Sequence, residues 1–348
     1  MQRALFLAER GRGTTTPNPV VGALVVSDDG IVRGQGAHRV AGGPHAEVVA
    51  LNAAGVAARG ATLFCTLEPC CHVGRTGPCV ERIAAAGIRR VVAALEDPNP
   101  RVAGGGYAWL RSRGIEVVES VERDAAARQN APFVTWITAR RPHVTIKCAM
   151  SADGYVGHAD RRVMLTTAQT DRVMHRQRAA IDAVAVGSSS VLVDDPVLTA
   201  RFAYRERPLT RVVFDRRGRV GAHCRLFETL AAGPILVFVD AQAATSTRAN
   251  ELRARGAEVL PMPDRDSLLF ALRELASRDV LALLVEGGPT LHRAFWDAGL
   301  VDRVQIIETP HEMLTGLPAF VPAHDDARVT RRRIRTDVLV EWDVHRPH

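Results

Sequence analysis

The 348-residue chain has almost no lysine: Lys147 is the only one, and the other 44 of its 45 basic side chains are arginines. Arginine throughout reads as compositional bias. Against that bias a single lysine is either a chance survivor or a position where an arginine fork cannot serve. Aromatic residues are also scarce, at 5%. None are interleaved with basic runs, so the stacking surfaces of a single-stranded nucleic-acid binder are missing. No apolar run approaches the ~18–20 residues of a membrane span. The opening Met1-Gln2-Arg3-Ala4-Leu5-Phe6-Leu7-Ala8-Glu9-Arg10 reads as an amphipathic helix, not an export signal. A cytoplasmic protein is expected, with no membrane and no nucleic acid among its partners. The net charge of +7 is spread along the chain in short runs such as Arg331-Arg332-Arg333. A phosphorylated small-molecule substrate accounts for it as well as a polyanion does.

What is present is ordinary for a globular protein, with 47% hydrophobic and 24% charged residues, and the length suggests two domains of roughly 100–200 residues each. Four of the six cysteines, Cys65, Cys70, Cys71 and Cys79, lie within fifteen positions, with Cys148 and Cys224 apart. In a cytosolic chain such clustering favours metal binding or catalysis over disulfides. Expected elements of the first part are a helix near 1–11, a strand at Val20–Val26, a helix after Pro44, a strand at Ala61–Leu67, a helix from Cys79 to Ala86, a strand at Arg90–Leu95 and a helix after Ala103. That alternation predicts a three-layer α/β domain over 1–140 with a mixed sheet. The Thr138-Ala139-Arg140-Arg141-Pro142 break precedes a fresh strand, His143–Met150, which opens a second α/β domain over 143–348. There, strands at Ala183–Val186, Arg211–Phe214, Pro234–Val239 and Val280–Val285 alternate with helices at Ser267–Ser277 and Thr290–Ala298. No repeat relates the halves.

The chemistry concentrates where Pro44-His45-Ala46-Glu47 begins a helix and Glu68-Pro69-Cys70-Cys71 follows a strand, with Cys79 nine positions after Cys70. One imidazole and two thiolates suit zinc, and three protein ligands leave its fourth position open for catalysis. Zinc lowers the pKa of a bound water from about 16 to about 7, so a nucleophile forms at neutral pH. A carboxylate that is not a ligand must then carry the proton to the departing group, and Glu47 fits that part. His-x-Glu followed by Pro-Cys-x-x-Cys is the pattern of zinc nucleobase deaminases, here with eight residues between the two cysteines instead of two. The alternative is a closed structural site with Cys71 or His72 as fourth ligand.

The long insert Cys71-His72-Val73-Gly74-Arg75-Thr76-Gly77-Pro78, with Thr16-Pro17-Asn18-Pro19-Val20-Val21-Gly22 and Asp97-Pro98-Asn99-Pro100, resembles the deaminase domain of the bifunctional deaminase/reductase family of riboflavin biosynthesis. The resemblance covers nearly all of residues 1–140. It implies a cytidine-deaminase-like α/β/α fold, zinc on His45, Cys70 and Cys79, Glu47 as proton carrier, and diaminohydroxyphosphoribosylaminopyrimidine as substrate. Asn18, His38, Arg75, Asp97 and Asn99 match residues lining that substrate's pocket. Asn18 can pair with a ring edge, while His38 and Arg75 can meet phosphate. Cys71 departs from the family, which usually has serine there.

In the second half, Gly187-Ser188-Ser189-Ser190 and Gly287-Gly288-Pro289-Thr290 each follow a strand and open a helix, as phosphate sites do and as ordinary turns do. Lys147-Cys148-Ala149-Met150-Ser151-Ala152-Asp153-Gly154, Val193-Asp194-Asp195-Pro196-Val197-Leu198-Thr199-Ala200-Arg201 and Val285–Leu291 resemble the reductase domain of the same family. That implies a dihydrofolate-reductase-like fold and NADPH as the reductant that opens the ribose of the deaminated product into ribityl. By position, Ala149, Ser190, Asp194, Arg216, Gly288, Pro289, Thr290 and Leu291 match NADPH contacts. Arg178, Leu198, Arg201 and Glu286 match substrate contacts, and Lys147 stands where a lysine can polarise the sugar oxygen. Arg162 and Met164 replace a family serine and tryptophan; arginine could grip a phosphate and methionine could cover a nicotinamide face. The tail after Arg303 lacks the family's Pro-x-x-x-Gly segment. The expected protein is thus a bifunctional homo-oligomer, dimer or tetramer, acting on a phosphorylated pyrimidine. Two other readings stand beside it: a deaminase whose second domain serves oligomerisation or acts on another pyrimidine, and a deaminase that edits bases within RNA.

Overall fold

The computed structural model, which describes residues 1–72, 77–99, 102–325 and 328–344, divides the chain into two units, Met1–Arg140 and Arg141–His348. In the first, the elements run α1 (Gln2–Ala8), β1 (Gly22–Val26), β2 (Val32–Ala37), α2 (Ala46–Ala54), β3 (Thr62–Cys65), α3 (Cys79–Ala85), β4 (Arg90–Ala93), α4 (Gly105–Ser112), β5 (Glu116–Val118), α5 (Arg123–Gln129) and α6 (Ala131–Ala139). The strands form one sheet in the order β2-β1-β3-β4-β5. β1 is antiparallel to both neighbours, and β3, β4 and β5 run parallel.

Successive side chains of a strand face opposite ways, and β1 uses both faces. Ala23 and Val25 enter a core with Ala46, Ala50, Leu63, Ile83 and Leu110, whereas Leu24 joins Ala4, Leu7 and Ala37 beneath α1. Helices therefore cover the sheet on two sides, as expected of the three-layer domain. The strand β2 is absent from the sequence expectations, because two of its six positions are glycines that bury nothing. A Cβ on Gly34 would lie 2.1 Å from the Ala50 carbonyl oxygen, and one on Gly36 2.2 Å from that of Ala46. Only glycine lets α2 rest directly on β2, and this contact carries the N-terminus of α2, with His45 and Glu47, to its place over the sheet. β5, α5 and α6 were not expected either; the three residues of β5 are too few to show a period.

The second unit runs β6 (His143–Met150), β7 (Tyr155–Gly157), α7 (Ala168–Ala179), β8 (Ala183–Gly187), α8 (Ser188–Asp194), β9 (Thr210–Phe214), β10 (Ile235–Asp240), α9 (Thr247–Ala254), β11 (Ala257–Met262), α10 (Ser267–Ala276), β12 (Ala282–Val285), α11 (Pro289–Asp297), β13 (Arg303–Glu308), β14 (Leu317–Pro318), β15 (Thr330–Ile334) and β16 (Asp337–Asp343). Its main sheet has the order β11-β10-β9-β8-β12-β6-β13-β16-β15. It is parallel from β11 through β13 and antiparallel at β13, β16 and β15. On β6, Val144 and Ile146 enter one core, while Ala149 packs on the other face against Met174 of α7 and Ile307. Lys147, in phase with Ala149, faces α7. Arg141 is tied to this unit by two bonds to the Asp302 carboxylate, 2.6 and 2.8 Å. No helix among the described residues is long and apolar enough to cross a membrane.

Two buried histidines make this unit acid-sensitive. His143 is held down to about 4 mainly by burial, with Arg303 and Arg141 adding to it. His292 is also held at about 4, by burial and then Lys147, with Nε2 3.1 Å from the Val285 carbonyl. Each is neutral when folded and titrates near 6.5 when unfolded. Their contribution is therefore complete above pH ~6.5 and is lost as pH falls towards 4, at about 2 kcal/mol per histidine by pH 5. Thermal melts are expected to drop between pH 7 and pH 5. His292→Gln, which keeps a donor for Val285, should show a smaller drop; an unchanged drop would acquit His292.

Candidate active sites

His45 is the N-cap residue of α2, in extended conformation, so its ring projects past the helix end while Glu47 lies in the first turn. Cys70 follows β3 on the Glu68-Pro69 corner, and Cys79 is the first residue of α3. These elements bring three side chains together: His45 Nδ1 lies 3.2 Å from Cys79 Sγ and 3.5 Å from Cys70 Sγ, and the potential ligand atoms all fall within 4.8 Å of one another. With Zn–N of about 2.0 Å and Zn–S of about 2.3 Å, the N···S edge of a tetrahedron is about 3.5 Å. The donor set and its spacing fit zinc.

The backbone amide of Cys79 also donates to Cys70 Sγ at 3.3 Å. The Cys79 thiol, first among several donors, holds Cys70 well below the usual thiol range, and His45 adds to it. Cys79 is pushed up by the same shared proton. Glu47 is 4% exposed, and burial pushes its carboxyl up to about 7. A carboxyl that sits between its two protonation states near neutrality is suited to taking and returning a proton.

Around this centre the expected pocket residues are only partly as anticipated. Asn18 Nδ2 lies 3.1 Å from His38 Nε2, and His38 Nδ1 lies 3.0 Å from the Pro44 carbonyl oxygen. The carbonyl can only accept, so Nδ1 carries the proton and Nε2 accepts from Asn18. His38 is 3% exposed and burial lowers its pKa, so it is a neutral spacer between Asn18 and the chain entering α2. The expected phosphate contact does not suit an imidazole whose two nitrogens are both engaged. Asp97 accepts from the Asn99 amide at 2.9 Å, and burial pushes its carboxyl up to about 6. Arg75 lies outside the described residues.

Glu68 was overlooked in the sequence. Buried at 2% exposure, its carboxylate accepts four backbone amides: Asp97 at 3.1 Å, Gly104 at 3.0 Å, Gly106 at 2.8 Å and Tyr107 at 3.3 Å. It fastens the segment bearing Asp97 and Asn99 to the corner bearing Cys70. The one available signal was an acidic residue between a buried strand and a proline, where a free carboxylate would be hard to desolvate.

In the second unit, α7 is fixed at both ends. The Asp337 carboxylate accepts from the Thr167 amide at 3.0 Å and the Thr170 hydroxyl at 2.6 Å at its start. At its end the Arg205 guanidinium donates to the carbonyls of Arg178 (3.2 Å) and Ala179 (2.9 Å). Both charges complement the helix dipole. The helix presents Arg178 to Glu286, which follows β12: Arg178 Nη2 binds Glu286 Oε2, and Lys147 Nζ lies 3.8 Å from Oε1. Burial would raise the Glu286 carboxyl, but Arg178 and then Lys147 outweigh it and hold it low. Glu286 is thus a buried carboxylate between Arg178 and Lys147.

The expected NADPH contacts follow strand ends. Arg216 comes after β9, Ser190 lies in α8 after β8, Gly288–Leu291 open α11 after β12, and Ala149 is near the end of β6. These four strands are adjacent and parallel, and in open α/β sheets that is the ligand edge. Arg216 is exposed and 3.9 Å from Asp264. Arg162 lies near enough to Asp194 to oppose the rise that burial gives the Asp194 carboxyl. Met164 is 60% exposed. The Leu198 side chain is buried in the core with Val184 and Leu226, and its backbone is at φ 53°.

Comparison with known proteins gives these two centres a context. The family described as the cytidine and deoxycytidylate deaminase zinc-binding region matches residues 1–95, and the RibD C-terminal domain matches residues 142–321. The riboflavin biosynthesis protein RibD of Aquifex aeolicus is 40% identical over 318 residues, covering 91% of this chain and 88% of that protein. A diaminohydroxyphosphoribosylaminopyrimidine deaminase/5-amino-6-(5-phosphoribosylamino)uracil reductase of Thermotoga maritima superposes with a TM-score of 0.85 at 33% identity, covering 99% of this chain and 97% of that one. Acinetobacter baumannii RibD does so with a TM-score of 0.83 at 32% identity, covering 99% and 98%. With a zinc-type donor set in one unit, a lysine–carboxylate–arginine cluster in the other, and relatives aligned over almost the whole chain, this protein belongs to the RibD family of bifunctional deaminase/reductases of riboflavin biosynthesis, which use zinc and NADPH.

Proposed function

We propose that the two activities divide between the two units, deamination in 1–140 and reduction in 143–348. The observation that carries the first assignment is the convergence of His45, Cys70 and Cys79 beside a buried Glu47. In this reading His45, Cys70 and Cys79 hold zinc, which supplies an acidified water. Glu47 takes the proton of the attacking water and delivers it to the departing amine. Asn18, Asp97 and Asn99 orient the pyrimidine, His38 orients Asn18, and Arg75 meets the phosphate.

NADPH supplies the hydride in the second unit, held by Ala149, Ser190, Asp194, Arg216 and Gly288–Leu291, with Met164 beside it. Lys147 gives its proton to the sugar oxygen as the ring opens, and Glu286 keeps that lysine aimed. Arg178 and Arg201, with Arg162, receive the substrate, and Leu198 contributes backbone only. The proximity of Lys147, Glu286 and Arg178 supports a working reductase over a purely structural second domain. The enzyme acts in the cytoplasm as a homodimer or homotetramer, a common state for closed two-domain enzymes.

Purified protein is expected to carry about one zinc per chain, to release ammonia from diaminohydroxyphosphoribosylaminopyrimidine, and to oxidise NADPH only when the deaminated product is supplied. Ammonia release by metal-free protein, or no NADPH turnover on the deaminated product, would overturn the corresponding half.

A further inference from the structure

We infer that His175 is a positioning residue for reduction: its neutral imidazole fixes Arg201, and through Arg201 the anionic end of the substrate. This rests on reading Arg201 as a substrate contact.

His175 and Arg178 are one turn apart on α7 and so share a face. Together they hold the segment Thr199–Phe202. Arg178 Nη1 donates to the Thr199 carbonyl at 3.2 Å, and the Arg201 amide donates to His175 Nδ1 at 3.2 Å. The Phe202 ring meets the imidazole edge-on, with centroids 5.0 Å apart, and the Arg201 guanidinium lies over that ring, 6.0 Å from its centroid.

A backbone amide can only donate, so Nδ1 must be bare and the ring's proton sits on Nε2. Burial, then the Arg178 and Arg201 cations, hold His175 down to about 4, against Glu286 and the Thr199 carbonyl, in keeping with a neutral ring. A second proton would remove the acceptor that the Arg201 amide uses. Partial desolvation, then the neighbouring Arg178 and Arg162 cations, lower the pKa of the Arg201 guanidinium. Cations gathered in this way suit a phosphate, which pairs with a guanidinium in a fixed direction. Arg201 needs a fixed backbone to hold that direction, and His175 supplies it.

The test compares three variants of the full-length protein in the reduction step, with the deaminated phosphoribosylaminouracil as substrate. H175F, close in size but without an acceptor, is expected to raise KM about tenfold, with kcat and the KM for NADPH within about twofold. H175N places an oxygen near the position of Nδ1 and should stay within about threefold of wild type. R201Q should raise KM at least as much as H175F.

If R201Q raises KM and H175F does not, His175 has no positioning part. If R201Q leaves KM unmoved, Arg201 is not a substrate contact and the proposal falls with that reading. If H175F and H175N fail alike, with kcat falling along with affinity for both substrates, the imidazole is merely structural and the proposal is overturned. Circular dichroism and thermal melting of the same samples report whether each variant is folded.

Discussion

Replacing Glu47 with glutamine is expected to lower ammonia release by about a thousandfold while the zinc content stays at the wild-type level. The side chain keeps its volume and its place in the first turn of α2, so the core under it, with Ala46 and Ala50 buried on β2, is undisturbed. What is lost is a group able to hold a proton at one moment and surrender it at the next. A general acid–base group contributes about 100- to 10,000-fold, and in the proposed mechanism Glu47 performs both transfers. Zinc by atomic absorption and ammonia by a coupled assay give the two readouts. NADPH oxidation on preformed deaminated product should be unchanged. Loss of metal together with activity would make Glu47 a ligand and reverse the assignment.

Lys147→Arg is expected to slow reduction by about a hundredfold with deamination unaffected. Charge is conserved in this substitution; proton transfer is not, because guanidinium keeps its protons at any pH the protein survives. The site also has little room for the larger group. Glu286 is 7% exposed, and its other oxygen is already taken by Arg178, so a second guanidinium would face the first across one carboxylate. The check is a paired measurement of ammonia release and NADPH oxidation on one preparation. Equal ratios in variant and wild type would remove Lys147 from the mechanism and return the lone lysine to chance.

The part of each site that was legible in the sequence is the part set by short spacing. His45 and Glu47 share one helix start, and Cys70 and Cys79 flank one insert, so the donor set could be read from residue types alone. β6 occupies the expected His143–Met150 because its alternating pattern is local. By contrast, β2 was invisible, since Gly34 and Gly36 serve a helix packed on the strand and not burial of their own side chains. The binding partners of Glu68 lie about thirty to forty positions away, and the partner of His175 is 26 positions away; no periodicity connects such pairs. Burial is a matter of distant contacts too: His38 and Leu198, which the resemblance matches to ligand contacts, both have side chains that are almost wholly enclosed.

The scarcity of lysine has a practical use. Biosynthetic incorporation of isotope-labelled lysine would place a single side-chain amine signal in the whole molecule, located beside Glu286. Magnetic resonance on that one resonance could follow cofactor and sugar arriving at the reductive centre, free of overlap and without a probe having to be engineered.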